Sequence, residues 1–228
     1  MKEISLRDQL GKMEKDWDRR ARENAHFYVA SSRTKWTEQE FYESGRRAID
    51  QEILTDMDNI CQGKDPRQMR VLEIGCGAGR TTQAFAGIFG EVHAIDVSSQ
   101  MVKKARRALR GCPNAHVYKN NGLDLSVVPD VPFDFAFSYL VFQHIPNREI
   151  IESYIREVHR LLRPGALFKF QVQGDLKLTS TPDDTWVGAA ISEEEAVEMG
   201  VRNGFEPRHL HGAGQQYFWL WYFKREIV

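Results

Sequence analysis

The stretch Val71-Leu72-Glu73-Ile74-Gly75-Cys76-Gly77-Ala78-Gly79-Arg80 decides how this chain is read. A short apolar run gives way to three alternating glycines and then to a helical pattern. Glycine carries no Cβ, so a loop of this kind lets backbone approach a ligand closely. In a turn that held nothing, three alternate glycines would waste conformational entropy. Twenty-one residues beyond Gly75 a second apolar run, His93-Ala94-Ile95-Asp96, ends in a carboxylate. An acid at that place can accept two hydrogen bonds from a ribose diol. Together the two features point to a cofactor that contains adenosine.

Outward from this stretch, short apolar segments alternate with helical ones. Strands are expected at Arg70–Ile74, Glu91–Asp96, Ala115–Lys119, Phe133–Val141 and Ala166–Gln173, with helices at 80–89, 99–110 and 147–163. Asn147 is the expected N-cap of the last helix, which should stop at Arg163-Pro164-Gly165. Such alternation predicts an α/β fold, a Rossmann-like doubly wound sheet that is mostly parallel. Ser192-x-x-Glu195 opens a short helix ending at Asn203-Gly204, and two strands joined by Gly212-Ala213-Gly214 follow as a C-terminal antiparallel hairpin. Before the sheet, residues 5–24 read as a polar helix with sparse apolar positions at Leu10, Met13 and Trp17. A second helix begins at the Thr37-x-x-Glu40 capping box and carries its apolar stripe to Ile60. Residues 1–65 are therefore expected to form an N-terminal helical cap, and 66–228 the sheet domain.

Composition narrows the function classes. The 228 residues hold 31 Lys and Arg against 32 Asp and Glu, a net charge of −1, which argues against an electrostatic nucleic-acid binder. With 42% apolar and 28% charged residues, disorder is excluded for most of the chain. Cys61, Cys76 and Cys112 are odd in number and lack Cys-x-x-Cys spacing, so neither a disulfide framework nor a zinc site is expected. The charged N-terminus lacks the apolar core of a signal peptide, and Tyr217–Phe223 is too short to cross a bilayer as a helix. A cytoplasmic protein is the expectation.

The glycine spacing separates cofactors. A dinucleotide fingerprint places its third glycine at position 80, where this chain has Arg80, and the third glycine comes at Gly79 instead. Glu73, just ahead of the glycines, suits an amine better than a pyrophosphate. At these residues the sequence resembles the class I S-adenosylmethionine-dependent methyltransferases, closest to the small-molecule type called methyltransferase type 11. The resemblance rests on Glu73-x-Gly75-x-Gly77-x-Gly79, Asp96-x-Ser98-x-x-Met101, Asn120-Asn121-Gly122-Leu123, Phe133 to Tyr139 running on to His144-Ile145, and Leu162-Arg163-Pro164-Gly165.

The resemblance implies that Gly75, Gly77 and Gly79, with Cys76 as a small loop residue, pass beneath the methionine part of the cofactor. Glu73 would help hold its amino group and Asp96 its ribose hydroxyls, while Val97 and Met101 would lie against adenine. Asn121 stands where the family usually has an Asp for the adenine amine, and its amide oxygen can still accept that bond. Gly122 and Leu123 complete that turn, and Ser138 and Tyr139 would touch the methionine moiety. Arg80 could hold a carboxylate of cofactor or acceptor.

His144 is the one histidine placed at the mouth of the implied pocket and is the candidate general base. Tyr28, Arg33, Trp36 and Trp186 are candidates for the acceptor side, from the cap and from the long connection after residue 175. His209 and His211 share a strand face but lack a third ligand nearby, so no metal is expected. The implied reaction is in-line transfer of the methyl group of S-adenosylmethionine to a small-molecule acceptor, leaving S-adenosylhomocysteine. A non-catalytic S-adenosylmethionine-binding sensor or partner subunit is the alternative, and a nicotinamide-dependent oxidoreductase the more distant one. Acceptor and oligomeric state are left open, the aromatic final strand suiting an interface as well as a core.

Overall fold

The computed structural model describes residues 5–178, 181 and 184–226. Helix α1 (Leu6–Val29) is followed by α2 (Glu38–Glu52) and the short α3 (Met57–Cys61). Then come β1 (Arg70–Ile74), α4 (Thr82–Ile88), β2 (Glu91–Asp96), α5 (Ser99–Ala108), β3 (Ala115–Lys119) and β4 (Phe133–Ser138). The chain finishes with α6 (Arg148–Leu161), β5 (Leu162–Val172), α7 (Glu193–Arg202), β6 (Phe205–His211) and β7 (Phe218–Lys224).

The seven strands form one sheet in the order β3-β2-β1-β4-β5-β7-β6. The pairs from β3 to β5 are parallel, and β7 enters antiparallel between β5 and β6. The aromatic run of β7 is thus an interior strand, with Phe218, Trp219, Leu220, Tyr222 and Phe223 buried. Strand order reverses between β1 and β4, and at such a switch point a crevice opens beyond the carboxyl ends of the strands.

Every residue of β4 is buried, because both faces of the sheet are covered. Phe133 and Ala136 pack with α6 residues Ile151, Ile155 and Val158, while Phe135 and Phe137 pack with Ile49, Ile53, Phe85 and Phe89. Each fully buried Phe contributes about 1.5–3 kcal/mol, so these two layers dominate stability. Caps set the helix starts. Thr37 and Glu40 form the full capping box, and Ser98, Asn147 and Ser192 cap α5, α6 and α7.

Several sequence-based boundaries shift. The helix expected to run to Arg163 ends at Leu161, and Pro164 and Gly165 lie inside β5. Leu162 pairs with Phe133 ahead of a register shift, and that irregularity is where a strand tolerates proline. The expected strand to Val141 stops at Ser138, since Leu140 takes a left-handed φ of 59° and a single 3₁₀ turn follows at Phe142–His144. The second helix breaks after Glu52 into a 3₁₀ turn and α3 rather than running on to Ile60. The hairpin turn spans 212–217, wider than Gly212-Ala213-Gly214.

In α1 the expected end at residue 24 is a kink. Asn24 leaves helical geometry (φ −163°, ψ 83°), its side chain accepts from the Phe27 amide at 3.1 Å, and the helix resumes to Val29. That bend carries Tyr28 and Val29 back over the glycine loop. Among the described residues no helix is long and apolar enough to cross a membrane.

Candidate active site

The turn from β1 to α4 is folded against the end of β2. The amides of Gly75 and Cys76 both donate to Ile95 O, at 2.8 and 2.9 Å. Gly75 and Gly77 have φ of +76° and +52°, a region that L side chains avoid. A Cβ on Gly77 would lie 2.7 Å from Val29 Cγ2, and one on Gly75 would run into the Val141 side chain. At Gly75 and Gly77 the floor is therefore shaped by backbone, with no room for a side chain at either glycine.

Asp96 is fastened to that floor. One carboxylate oxygen accepts from the Gly77 amide at 2.9 Å and the other from the Ser98 amide at 2.8 Å. Each oxygen keeps a lone pair for a further donor. Burial pushes this carboxyl up to about 6, against the downward pull of the two amides.

Around the floor a cavity of about 770 Å³, counting its open mouth, is lined by Ile74 to Gly77, Arg80, Asp96, Val97, Met101, Asn120 and Tyr139 to Val141. Asn120 donates to Tyr154 OH at 2.7 Å, while its Oδ1 is buried without a hydrogen-bond partner. An orphaned buried acceptor in a cavity wall costs roughly 1–3 kcal/mol until a donor meets it. Arg80 is buried beside Tyr139 and donates to Ser44 Oγ at 3.3 Å.

Met13, Trp17, Tyr28 and Val29 of α1 close the cavity from above. Side chains hold this roof in place. Asp18 accepts from Ser98 Oγ (2.6 Å), Ser99 Oγ (3.0 Å) and the Gln100 amide (3.0 Å), so it caps α5 from another helix. Arg20 donates to Thr185 O at 2.8 Å, Thr185 Oγ1 donates to Asp16 at 2.8 Å, and Asn147 donates to Gln9 at 2.7 Å. The Arg20 guanidinium lies 4.7 Å from the Trp17 ring and 5.2 Å from that of Trp186.

A family model described as a methyltransferase domain matches residues 71–165, the segment that builds the floor and walls. Residues 71–165 are thus similar to the class I S-adenosylmethionine-dependent methyltransferases. It is 32% identical over 163 residues to sterol methyltransferase-like 3 of Botryococcus braunii, covering 64% of this chain and 41% of that protein. Over 128 residues it is 30% identical to the malonyl-[acyl-carrier protein] O-methyltransferase of Enterobacter lignolyticus, covering 56% and 47%. The chain thus aligns with less than half the length of these curated relatives. Its fold is shared with the magnesium protoporphyrin IX methyltransferase of Synechocystis PCC 6803 with bound S-adenosylmethionine, at a TM-score of 0.69 and 13% identity, covering 98% of this chain and 100% of that one.

The cavity gathers Gly75, Cys76, Gly77, Arg80, Asp96, Val97, Met101, Tyr139 and His144 of the residues singled out from sequence, with Tyr28 from the cap. Others stand behind its lining. Glu73 is buried beneath the floor, where its carboxylate accepts from the hydroxyls of Thr81 and, at 2.6 Å, Thr82; it braces the turn instead of facing a ligand. A Cβ on Gly79 would touch Ala105 and Leu109 at 3.4 Å, so this glycine serves the packing of α5. Ser138 donates to Ile74 O at 3.0 Å within the sheet.

The turn after β3 places the expected adenine-side residues outside the cavity lining. Asn121 is exposed, accepting from the amides of Leu123 and Asp124 at 2.9 Å, and neither Gly122 nor Leu123 lines the cavity. Its neighbour Asn120 points inward instead. Arg33 pairs with Glu40 at 3.2 Å on the surface, and Trp36 donates to Ala30 O at 2.9 Å, both away from the lining. Met13, Trp17, Thr81 and Tyr154 were not singled out as site residues, although Met13 and Trp17 lie four apart on one helix stripe.

His144 sits in the wall between this cavity and a second one lined by Tyr28, Val29, Gln143, Gln173, Trp186 and Tyr217. Its Nδ1 is 2.5 Å from Trp186 O and its Nε2 is 3.2 Å from Gln143 Nε2. Only one tautomer serves both: Nδ1–H donates to the carbonyl and Nε2 accepts from the amide. Burial pulls the imidazole down to about 4, so it is uncharged at neutral pH. The Trp186 ring stacks on it at 4.9 Å between centroids.

Proposed function

We propose that this chain transfers the methyl group of S-adenosylmethionine to a small-molecule acceptor. One observation carries the reading. The roofed cavity brings together a floor of glycine backbone at Gly75 and Gly77, a carboxylate with spare lone pairs, an unpartnered amide oxygen and a buried guanidinium. These are the complements of a ribose diol, an adenine amine and an amino-acid carboxylate. Asp96 would take the ribose, Asn120 Oδ1 the adenine amine, Arg80 the carboxylate, and Val97 and Met101 the adenine faces. When bound, the cofactor supplies a methyl group already activated on a sulfonium.

The protein's own work is alignment and exclusion of water. Residues 1–65 act as the cap and 66–228 as the cofactor-binding domain. Tyr28, Val29 and His144, shared by both cavities, mark the path from cofactor to acceptor, with Trp186 on the acceptor's far wall. His144 is weakened as a base by burial and by the Gln143 amide on its Nε2, so its role is to shape and orient the acceptor face. The roof admits a compact acceptor more readily than a polymer, in keeping with the sterol and O-methyltransferase names of the relatives. The unbridged Cys61, Cys76 and Cys112 suit a reducing, cytoplasmic setting.

Isothermal titration of the full chain with S-adenosylmethionine, S-adenosylhomocysteine and NADH tests the reading. Saturable binding of both sulfur compounds and none of NADH is expected. Folded protein that binds neither sulfur compound refutes it.

A further inference from the structure

A second group of chemically active side chains lies at the other end of β2, beside the edge strand β3. Glu91 and His93 alternate on β2 and so share a face, and His116 of β3 pairs in register with His93. Glu91 Oε1 is 3.0 Å from His93 Nε2 and 3.6 Å from His116 Nε2, and the three ligand atoms lie within 4.8 Å of one another. Donors around a tetrahedral ion bonded at ~2.0–2.2 Å stand ~3.3 Å apart, midway between those two separations.

The surroundings orient the group. Arg70 Nε holds the other Glu91 oxygen at 2.7 Å, leaving Oε1 free to turn towards the imidazoles. Tyr118 OH is 3.0 Å from His93 Nδ1. With Nδ1–H donating to that hydroxyl oxygen, Nε2 presents its lone pair to the cluster, the second-sphere arrangement that metal-binding histidines use. The His93 side chain is 3% exposed, and its Nε2 is buried without a hydrogen-bond partner. Glu91 is near that nitrogen but makes no aligned hydrogen bond with it. An ordinary structural histidine would have both nitrogens satisfied.

We propose that Glu91, His93 and His116 bind a divalent transition-metal ion. Two imidazoles and one carboxylate suit zinc, with water completing its coordination. The site takes no part in methyl transfer, since Glu91 begins β2 and Asp96 ends it, ~15 Å further along an extended strand. Bound metal pins the edge strand to its neighbour and so stabilises the folded chain.

The test uses the full chain, free of any affinity tag and stripped with a chelator, titrated with Zn²⁺ against a chromophoric competitor and with Co²⁺ by visible absorption. One saturable equivalent is expected, with a rise in melting temperature on adding Zn²⁺. His116 is half-exposed, so His116→Ala folds, and it lowers Zn²⁺ affinity by at least about 10–100-fold while leaving S-adenosylmethionine affinity unchanged. Glu91→Gln acts in the same direction. Absence of a saturable equivalent overturns the proposal. So does wild-type affinity in both variants, which would put the ion elsewhere, for example on His209 and His211.

Discussion

Gly77 and Asp96, on the floor of the cavity, are joined by a hydrogen bond that spans 19 residues of chain, whereas the roof is held by Asp18 to Ser98 and Thr185 to Asp16, pairs separated by 80 and 169 residues. The floor is shaped by backbone in conformations only glycine tolerates well. The roof is ordinary helix whose placement depends on a handful of side chains. The floor should therefore fail completely when altered, and the roof by degrees.

The largest effect is expected from Gly75→Val. Its φ of +76° and the adjacent Val141 side chain leave a Cβ no space, so the turn must rearrange. S-adenosylmethionine affinity should fall by more than about 100-fold, with a stability loss of at least ~1–2 kcal/mol from the left-handed strain alone. Titration calorimetry and thermal melting read the two losses. A variant binding within tenfold of wild type would show that the floor is as adaptable as the roof.

Next comes Asp96, through pH. The proposed ribose contact needs its ionised form, and its value near 6 in the free protein means that acidification removes that form. From pH 7 to pH 5 the cofactor affinity should fall about tenfold, and it should level off above pH 7. Proton release on binding, seen as a dependence of the calorimetric heat on the buffer used near pH 6, checks the same point. A flat affinity from pH 7 to 5 would remove Asp96 from the ribose contact.

Asp18→Ala probes the roof. It removes three hydrogen bonds at the start of α5, a loss of about 1–2 kcal/mol for a cap of this type. The floor is untouched, so cofactor binding should weaken only several-fold. Hydrogen exchange should quicken in Leu6–Val29 and not in β1 or β2. Equal loosening of both regions would mean that floor and roof form a single cooperative unit.

The same contrast explains what could be read from sequence. The boundaries of β1, β2 and β3 follow from apolar runs bounded by turn residues, and the glycine loop with Asp96 follows from spacing, since both signals are local. Pro164 inside β5 escaped because a register shift against Phe133 tolerates it, a tertiary fact with no local mark. Asn121 stands at the motif position, and nothing local marks which of two adjacent asparagines turns inward after the strand ends. Arg33 and Trp36 looked like lid residues but satisfy each other's neighbourhood on the surface. The fastening of the roof through Asp16, Asp18 and Arg20 was illegible, because three charged residues in a polar helix give no sign of partners so distant in the chain.

His144 belongs to both regions, coming from the wall but reaching Trp186 of the far connection, and it should show the smallest effect. Its sequence position suggested a base near the usual 6.5, yet burial draws it to about 4 and its nitrogens are both engaged. His144→Gln should leave cofactor affinity within about twofold and slow turnover by roughly ten- to a hundredfold through misplacement of the acceptor. Under saturating cofactor and acceptor, the wild-type rate should show no inflection between pH 5.5 and 8 that the variant abolishes. An inflection near 6.5 that vanishes with His144→Gln would restore it as the base. Stability offers an independent check. A buried histidine with a lowered value loses its contribution as pH falls from about 6.5 towards 4, while Asp96, raised from 3.8 to about 6, loses its own as pH rises over nearly the same window. Other groups titrate in the same window, so the readout is the difference between the two proteins: ligand-free His144→Gln should lose stability relative to the wild type progressively from pH 4 to pH 6.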